Sequence, residues 1–262
     1  MTYETIAIDL DERGVATLRL ARPDKHNAMS SRMIAELALA TNALASDADV
    51  RVIVLTGEGA SFCAGGDLAW MKQQADATRS ERMDEARALA MMLRGLNELP
   101  KPLIGRVNGQ SYGGGMGLIS ICDTVIAVDS AKFGFTEVRL GLIPATISPY
   151  CLARMGEGRA RRVFFSGRIF GADEARELGL VARVVPEGEL DAAVDAEIKP
   201  YLAASPQAVA AAKALARSLG PVIDDAVMEE TAGIIARVRS TPEGKEGVSA
   251  FLEKRKPNWI KG

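Results

Sequence analysis

The chain has 262 residues, enough for one large domain or one domain with a helical appendage. Hydrophobic residues make up 48% and charged residues 25%, and 32 basic against 34 acidic side chains leave a formal charge of -2. That balance argues against a nucleic-acid partner. One histidine, His26, and three scattered cysteines, Cys63, Cys122 and Cys151, argue against a metal centre, a zinc site or a disulfide framework. A reducing cytoplasm is the expected location.

Met1 to Asp11 reads as a strand, with no basic n-region and no apolar h-region of a signal peptide. No run approaches the ~18 apolar residues of a membrane span. Ile6, Ile8 and Leu10, then Val15, Thr17, Leu18 and Leu20, predict two strands joined by a turn at Glu12-Arg13-Gly14. Arg22-Pro23-Asp24-Lys25 breaks the pattern. Ser30 is placed to cap a helix over Ser31 to Leu44. Val52 to Leu55 is a buried strand by its β-branched run, and a glycine-containing loop follows as far as Asp67. A helix starts near Asp67, and a longer one covers Ser80 to Asn97. Leu103 to Val107 is a strand, Asn108 to Gly117 a glycine-rich loop entering a helix, and Asp123 to Val128 a third strand. Strand, glycine loop, helix, strand is parallel α/β grammar.

Beyond Pro149 short helices are expected around Leu152–Met155, Arg159–Phe165 and Ala172–Leu178, then a last strand over Leu180 to Val185. Helices follow over Leu190–Ala203, Pro206–Leu219, Val222–Val238 and Pro242–Lys254. Pro186-Glu187-Gly188 divides an α/β core, residues 1–186, from a helical region, residues 187–262.

Both glycine loops follow a strand and open a helix, which leaves backbone N–H groups free at helix N-termini. Two such loops in successive units can converge on one carbonyl oxygen and stabilise an oxyanion. Neither ends in the Gly-Lys-Ser/Thr of a phosphate-binding loop, and Gly113 to Gly117 has poor spacing for a dinucleotide site. Glu137 lies among apolar neighbours, which suits a general acid/base, although the local pattern alone favours a surface glutamate paired with Arg139. Cys63 reads as a small packing residue rather than a nucleophile.

Several segments, in order, resemble the crotonase (enoyl-CoA hydratase/isomerase) family. They are Arg22-Pro23 with Asn27-Ala28-Met29, Ser61 to Leu68, Val107-Asn108-Gly109 with Gly113-Gly114-Gly115, Cys122-Asp123, Phe133 to Leu142, and Ala175 with Gly179-Leu180-Val181. The resemblance runs from about Ile6 to Trp259. It implies a crotonase-type α/β spiral of ββα units with a helical C-terminal region that packs trimers, often paired into hexamers. It also implies an acyl-CoA substrate, coenzyme A being part of that substrate, and no separate cofactor.

By this resemblance the thioester oxygen meets the N–H groups of Gly66 and Gly114, and Glu137 is the acid/base. Lys25, His26, Ala28, Ala64, Gly65, Asp67 and Leu68 become candidate substrate or CoA contacts. Standard hydratases of the family carry a second glutamate at the position of Gly117, so Gly117 is expected to leave room beside the substrate. Gly141 to Tyr150, together with Asp67 to Met71, resembles the methylglutaconyl-CoA hydratases of leucine breakdown and the isohexenylglutaconyl-CoA hydratases of terpenoid breakdown. Such substrates carry a second carboxylate, for which Arg139, Lys72, Ser148 and Tyr150 are candidate partners. The expected activity is hydration of a branched α,β-unsaturated thioester. The alternatives are a Δ3,Δ2-enoyl-CoA isomerase and a non-catalytic crotonase-like acyl-CoA-binding protein.

Overall fold

The structure is a computed structural model that describes residues 2–260; Met1 and residues 261–262, the ends of the strand and helical-region assignments, lie outside the described residues. The chain opens with β1 (Ile6–Leu10) and β2 (Val15–Leu20), an antiparallel pair in which Ile6 faces Leu20. A 3-10 turn over Pro23–Lys25 leads to α1 (Ser31–Ser46), whose first turn is capped by the Ser30 hydroxyl accepting from the Met33 N–H.

Three similar passages follow. The first is β3 (Val52–Gly57), β4 (Ser61–Cys63), α2 (Leu68–Asp76) and α3 (Arg79–Glu98). The second is β5 (Leu103–Val107), β6 (Gln110–Tyr112) and α4 (Gly114–Ser120). The third is β7 (Thr124–Val128), β8 (Lys132–Gly134) and a 3-10 turn over Glu137–Leu140. In each, one strand joins a six-stranded sheet of order β1-β2-β3-β5-β7-β10, and a three-residue strand joins a second sheet of order β4-β6-β8-β9. The chain thus winds as a spiral of ββα turns. The expected α/β class holds; β4 and β6 lie where the sequence showed loops, and β8 where it assigned no element.

Beyond this lie α5 (Ser148–Met155), α6 (Glu157–Phe164), β9 (Ile169–Gly171), α7 (Ala172–Glu177) and β10 (Arg183–Val185). Four helices complete the fold: α8 (Leu190–Ala203), α9 (Pro206–Ser218), α10 (Asp225–Ser240) and α11 (Pro242–Leu252). Almost everything after Glu187 is helical, as the sequence indicated, and α8 packs into the main core. Leu190, Val194 and Ile198 of α8 belong to the main core with Val52, Ile104 and Ile126. A smaller cluster joins Ala86 of α3, Leu142 and Ala145 to Ala232 and Ile235 of α10 and Val248 of α11. Among the described residues no helix is long and apolar enough to cross a membrane.

The N-terminal hairpin is tied to α1 through Glu36, whose side chain is 4% exposed. Its carboxylate accepts from the N–H groups of Glu4 and Thr5, from the Thr5 hydroxyl at 2.6 Å and from Arg32 Nε at 2.7 Å. Burial opposes its ionisation, but these donors outweigh that cost and lower its pKa to about 2. A depressed pKa contributes stability that is present above the ordinary glutamate range and lost as pH falls toward about 2. Glu36→Gln should therefore cost about 2–3 kcal/mol at neutral pH. In denaturant melts the gap from wild type should shrink as pH falls through that window.

Candidate active site

The site is set by the second sheet. Strands β4 and β6 pair in parallel, as do β6 and β8, so the loops leaving all three emerge from one end. The β4 exit is Ala64-Gly65-Gly66, the β6 exit Gly113-Gly114, and the β8 exit Phe135-Thr136-Glu137. The loops touch one another. Gly65 has φ +93°, and a Cβ there would stand 3.0 Å from the Tyr112 carbonyl oxygen. Gly113 has φ +50°, and a Cβ there would lie 3.4 Å from Glu137 Oε1. Glycine is needed at both, for backbone conformation and for close approach. The Gly113 N–H donates to the Gly134 carbonyl at 3.0 Å, fastening the second loop to the third.

The first loop is fixed from the N-terminal side. The Met29 N–H donates to the Gly65 carbonyl at 2.7 Å, and the Met29 carbonyl accepts from the Asp67 N–H at 2.9 Å. Gly66 lies between these two bonds, and its own N–H donates to no protein acceptor among the described residues. The Gly114 N–H, first in α4, is likewise unengaged. Both glycines line a cavity of about 610 Å³, with Met29, Trp70, Glu137 and Ile147 also in its wall.

Glu137 starts the 3-10 turn after β8. Its Oε2 is buried with no hydrogen-bond partner among the described residues, and Arg139 forms no ion pair with it. Burial pushes the Glu137 carboxyl up to about 7, a shift only partly opposed by a bond from its own backbone N–H. Two unengaged N–H groups and a carboxylic group of near-neutral pKa in one cavity can hold an oxyanion and move a proton beside it. A larger cavity of about 870 Å³, lined by Tyr150 and Lys213, contains neither glycine loop nor Glu137, and the chemistry assigns the site to the smaller one.

A sequence description of the enoyl-CoA hydratase/isomerase family matches residues 11–262. The chain belongs to the enoyl-CoA hydratase/isomerase family. It is 34% identical to a crotonyl-CoA hydratase of Syntrophomonas wolfei, over 99% of both chains. It is 31% identical to a 2,3-dehydroadipyl-CoA hydratase of Escherichia coli, over 95% of this chain and 96% of that one. The crystal structure of an enoyl-CoA hydratase from Shewanella pealeana superposes with a TM-score of 0.80 at 39% identity, covering 98% of this chain and 96% of that one.

Within this family fold the sequence candidates fall into two groups. Ala64, Gly65, Gly66, Gly114 and Glu137 line the cavity. Lys25, His26, Ala28, Asp67, Leu68 and Gly117 do not. Lys25 and His26 are exposed on the turn beside the first loop, and the His26 carbonyl accepts from the Ala64 N–H at 2.9 Å. Leu68 is exposed. Ala28 is buried, and its carbonyl accepts from Arg22. Asp67 accepts from Arg22 Nη2 at 2.7 Å and caps α2 through the N–H groups of Ala69 and Trp70, so its carboxylate is engaged in structure. Cys63 is fully buried, its thiol pushed up to about 12, as suits a packing residue.

Gly117 needs a correction. The room expected there is filled, because a Cβ on this helical glycine would meet Ile147 Cγ2 at 2.6 Å and Leu93 Cδ1 at 3.5 Å. Ile147 itself lines the cavity, so an apolar wall stands where family hydratases place their second glutamate. Among the suggested carboxylate partners, Arg139 lies on the cavity wall and Lys72 in an adjoining pocket. The Ser148 hydroxyl donates to the Ala145 carbonyl, and Tyr150 faces the larger cavity. Ile147, Tyr112 and Arg239 are wall residues that sequence reasoning missed, since nothing local marks them.

Gly117→Glu should accordingly fail to install a second acid/base. Overpacking plus an unpaired buried carboxyl should cost at least about 3 kcal/mol, read as a lowered Tm. Adding Ile147→Ala should recover part of that loss, and a stable Gly117→Glu single variant would contradict the packing described here.

Proposed function

We propose that this chain hydrates a branched α,β-unsaturated dicarboxylyl-CoA thioester, like 3-methylglutaconyl-CoA, with Glu137 as its only carboxylate acid/base. The coarser activity, that of an enoyl-CoA hydratase-type lyase on an acyl-CoA, is the one common to its hydratase relatives. The single-carboxylate chemistry is carried by Glu137: a buried carboxyl oxygen with no partner among the described residues, in the cavity that holds both unengaged glycine N–H groups.

The thioester oxygen accepts from the N–H groups of Gly66 and Gly114. Ionised Glu137 takes a proton from water as the hydroxyl adds to C3, and the electron pair of the double bond moves into a thioester enolate. The same carboxyl then returns its proton to C2, which restores the thioester and the ionised glutamate. The apolar wall at Ile147 leaves that whole proton circuit to one residue. A second carboxylate on the substrate is consistent with the dehydroadipyl chain in the name of the Escherichia coli relative. The exposed Leu219 and Val222, 81% and 73% accessible, support assembly through the C-terminal helices into a trimer or hexamer.

The wall at Ile147 also favours a second reading, a Δ3,Δ2-enoyl-CoA isomerase, because one carboxylate is enough to carry a proton between C4 and C2. Ultraviolet absorbance separates the two. Hydration erases the conjugated thioester band, fastest with 3-methylglutaconyl-CoA, whereas an isomerase creates that band from a 3-enoyl-CoA.

Glu137→Gln should lower turnover by ~10²-fold or more while CoA binding persists. Because the cycle starts from the ionised carboxylate, wild-type kcat/KM should fall as pH drops through about 7. Residual activity in the Gln variant should not follow that limb, and an identical pH profile would remove Glu137 from the mechanism.

A further inference from the structure

Arg239, near the end of α10, lines the same cavity as Gly66, Gly114 and Glu137, and also the adjoining pocket that holds Lys72. Its guanidinium carbon stands over the Trp70 ring, 5.3 Å from the ring centroid. That ring reaches the oxyanion loop, because a Cβ on Gly66 would lie 3.2 Å from Trp70 Cζ3. Arg239 is therefore one indole away from the glycine that faces the thioester oxygen.

The guanidinium has five N–H donors, yet its only acceptor among the described residues is Gln74 Oε1 at 3.1 Å. No described carboxylate lies within ion-pair distance. Two neighbouring arginines are served differently. Arg82 donates to the Gln74 and Ala75 carbonyls and the Ser240 hydroxyl, and Arg255 pairs with Glu246 and Glu253. Arg139, one of the two cations that the sequence suggested, is exposed. Burial, with some repulsion from Arg82 and an opposing pull from Glu85, lowers the Arg239 pKa to about 10. A desolvated cation without an anion is costly, and an incoming carboxylate would relieve that cost.

We propose that Arg239 is the specificity-determining anchor for the distal carboxylate of a short dicarboxylyl thioester, held beyond the Trp70 ring while the thioester sits at Gly66 and Gly114. This rests on the dicarboxylyl reading of the site and adds the residue that recognises the second charge. A planar guanidinium fork accepts a carboxylate in two parallel hydrogen bonds, which Lys72 cannot offer.

The test uses two saturated thioesters, glutaryl-CoA and butyryl-CoA, which neither hydrate nor isomerise. Calorimetric titration of the wild-type protein should give glutaryl-CoA an affinity advantage of about tenfold or more. Arg239→Met should abolish that advantage, and Arg239→Lys should keep a reduced one, with thermal melts confirming folded protein. An equal affinity of wild type for the two ligands would overturn the anchor. So would an advantage that survives in Arg239→Met, or a uniform weakening of both ligands, which would assign Arg239 to a CoA phosphate. Since neither ligand reacts, these outcomes are independent of whether crotonyl-CoA or 3-methylglutaconyl-CoA is hydrated.

Discussion

The parallel pairing of three very short strands is the constraint from which the site follows. Strands β4, β6 and β8 each have three residues and contribute few backbone bonds. What holds them in register is the spiral itself, because each follows a longer strand of the main sheet after a short turn. Parallel pairing sends successive chain exits in one direction, so residues 66, 114 and 137 meet although long crossovers separate them in sequence. The two loops that must expose N–H groups are themselves well fastened, through Met29, Gly65, Asp67 and Gly134. The donors are thus fixed in advance of any ligand, as electrostatic stabilisation of an oxyanion requires.

Glu137 shows the other side of the same arrangement. A carboxyl placed at the end of a tightly packed strand loses water without gaining protein donors for Oε2. Elsewhere the chain gives buried carboxylates ample partners. Glu36 collects backbone and side-chain donors, and Asp67 collects an arginine and a helix start. Two buried acids have depressed pKa values and one has a raised pKa, and the hydrogen-bond inventory accounts for the difference.

Much of the architecture was readable in the sequence because it depends on local signals. The β-branched run at Val52 to Leu55, the Ser30 cap and the span Leu190–Ala203 each appear where residue pattern placed them. The short strands did not show, since three residues are too few for alternation to register. On local pattern Glu137 read rather as a surface residue beside Arg139, because what encloses its carboxyl, Gly113 among it, comes from other segments. Gly117 read as open space, for the filling side chain belongs to Ile147, thirty positions downstream by residue number. Arg239 is in the same class: its surroundings are Trp70 and Gln74, from a different helix. A sequence records which residues are present; which of them lose their water is decided by contacts between distant parts of the chain.

The division of the apolar interior into a large cluster and a small satellite bears on motion. The satellite that secures α10 and α11 combines Ala86, Ala145 and Ala232 with Leu142, Ile235 and Val248, and half-buried residues such as Met83, Leu140 and Ile234 pack against it. Because this layer has an apolar cluster of its own, apart from that of the spiral, it forms a unit whose local opening is distinct from the unfolding of the main core. Its helices contribute Ile235, Arg239, Gly247 and Phe251 to the cavity wall. Part of the cavity wall therefore belongs to a layer packed apart from the main core. A ligand that fills the cavity would touch both layers, raise the free energy of that opening and link occupancy to hydrogen-exchange protection at the far end of the chain.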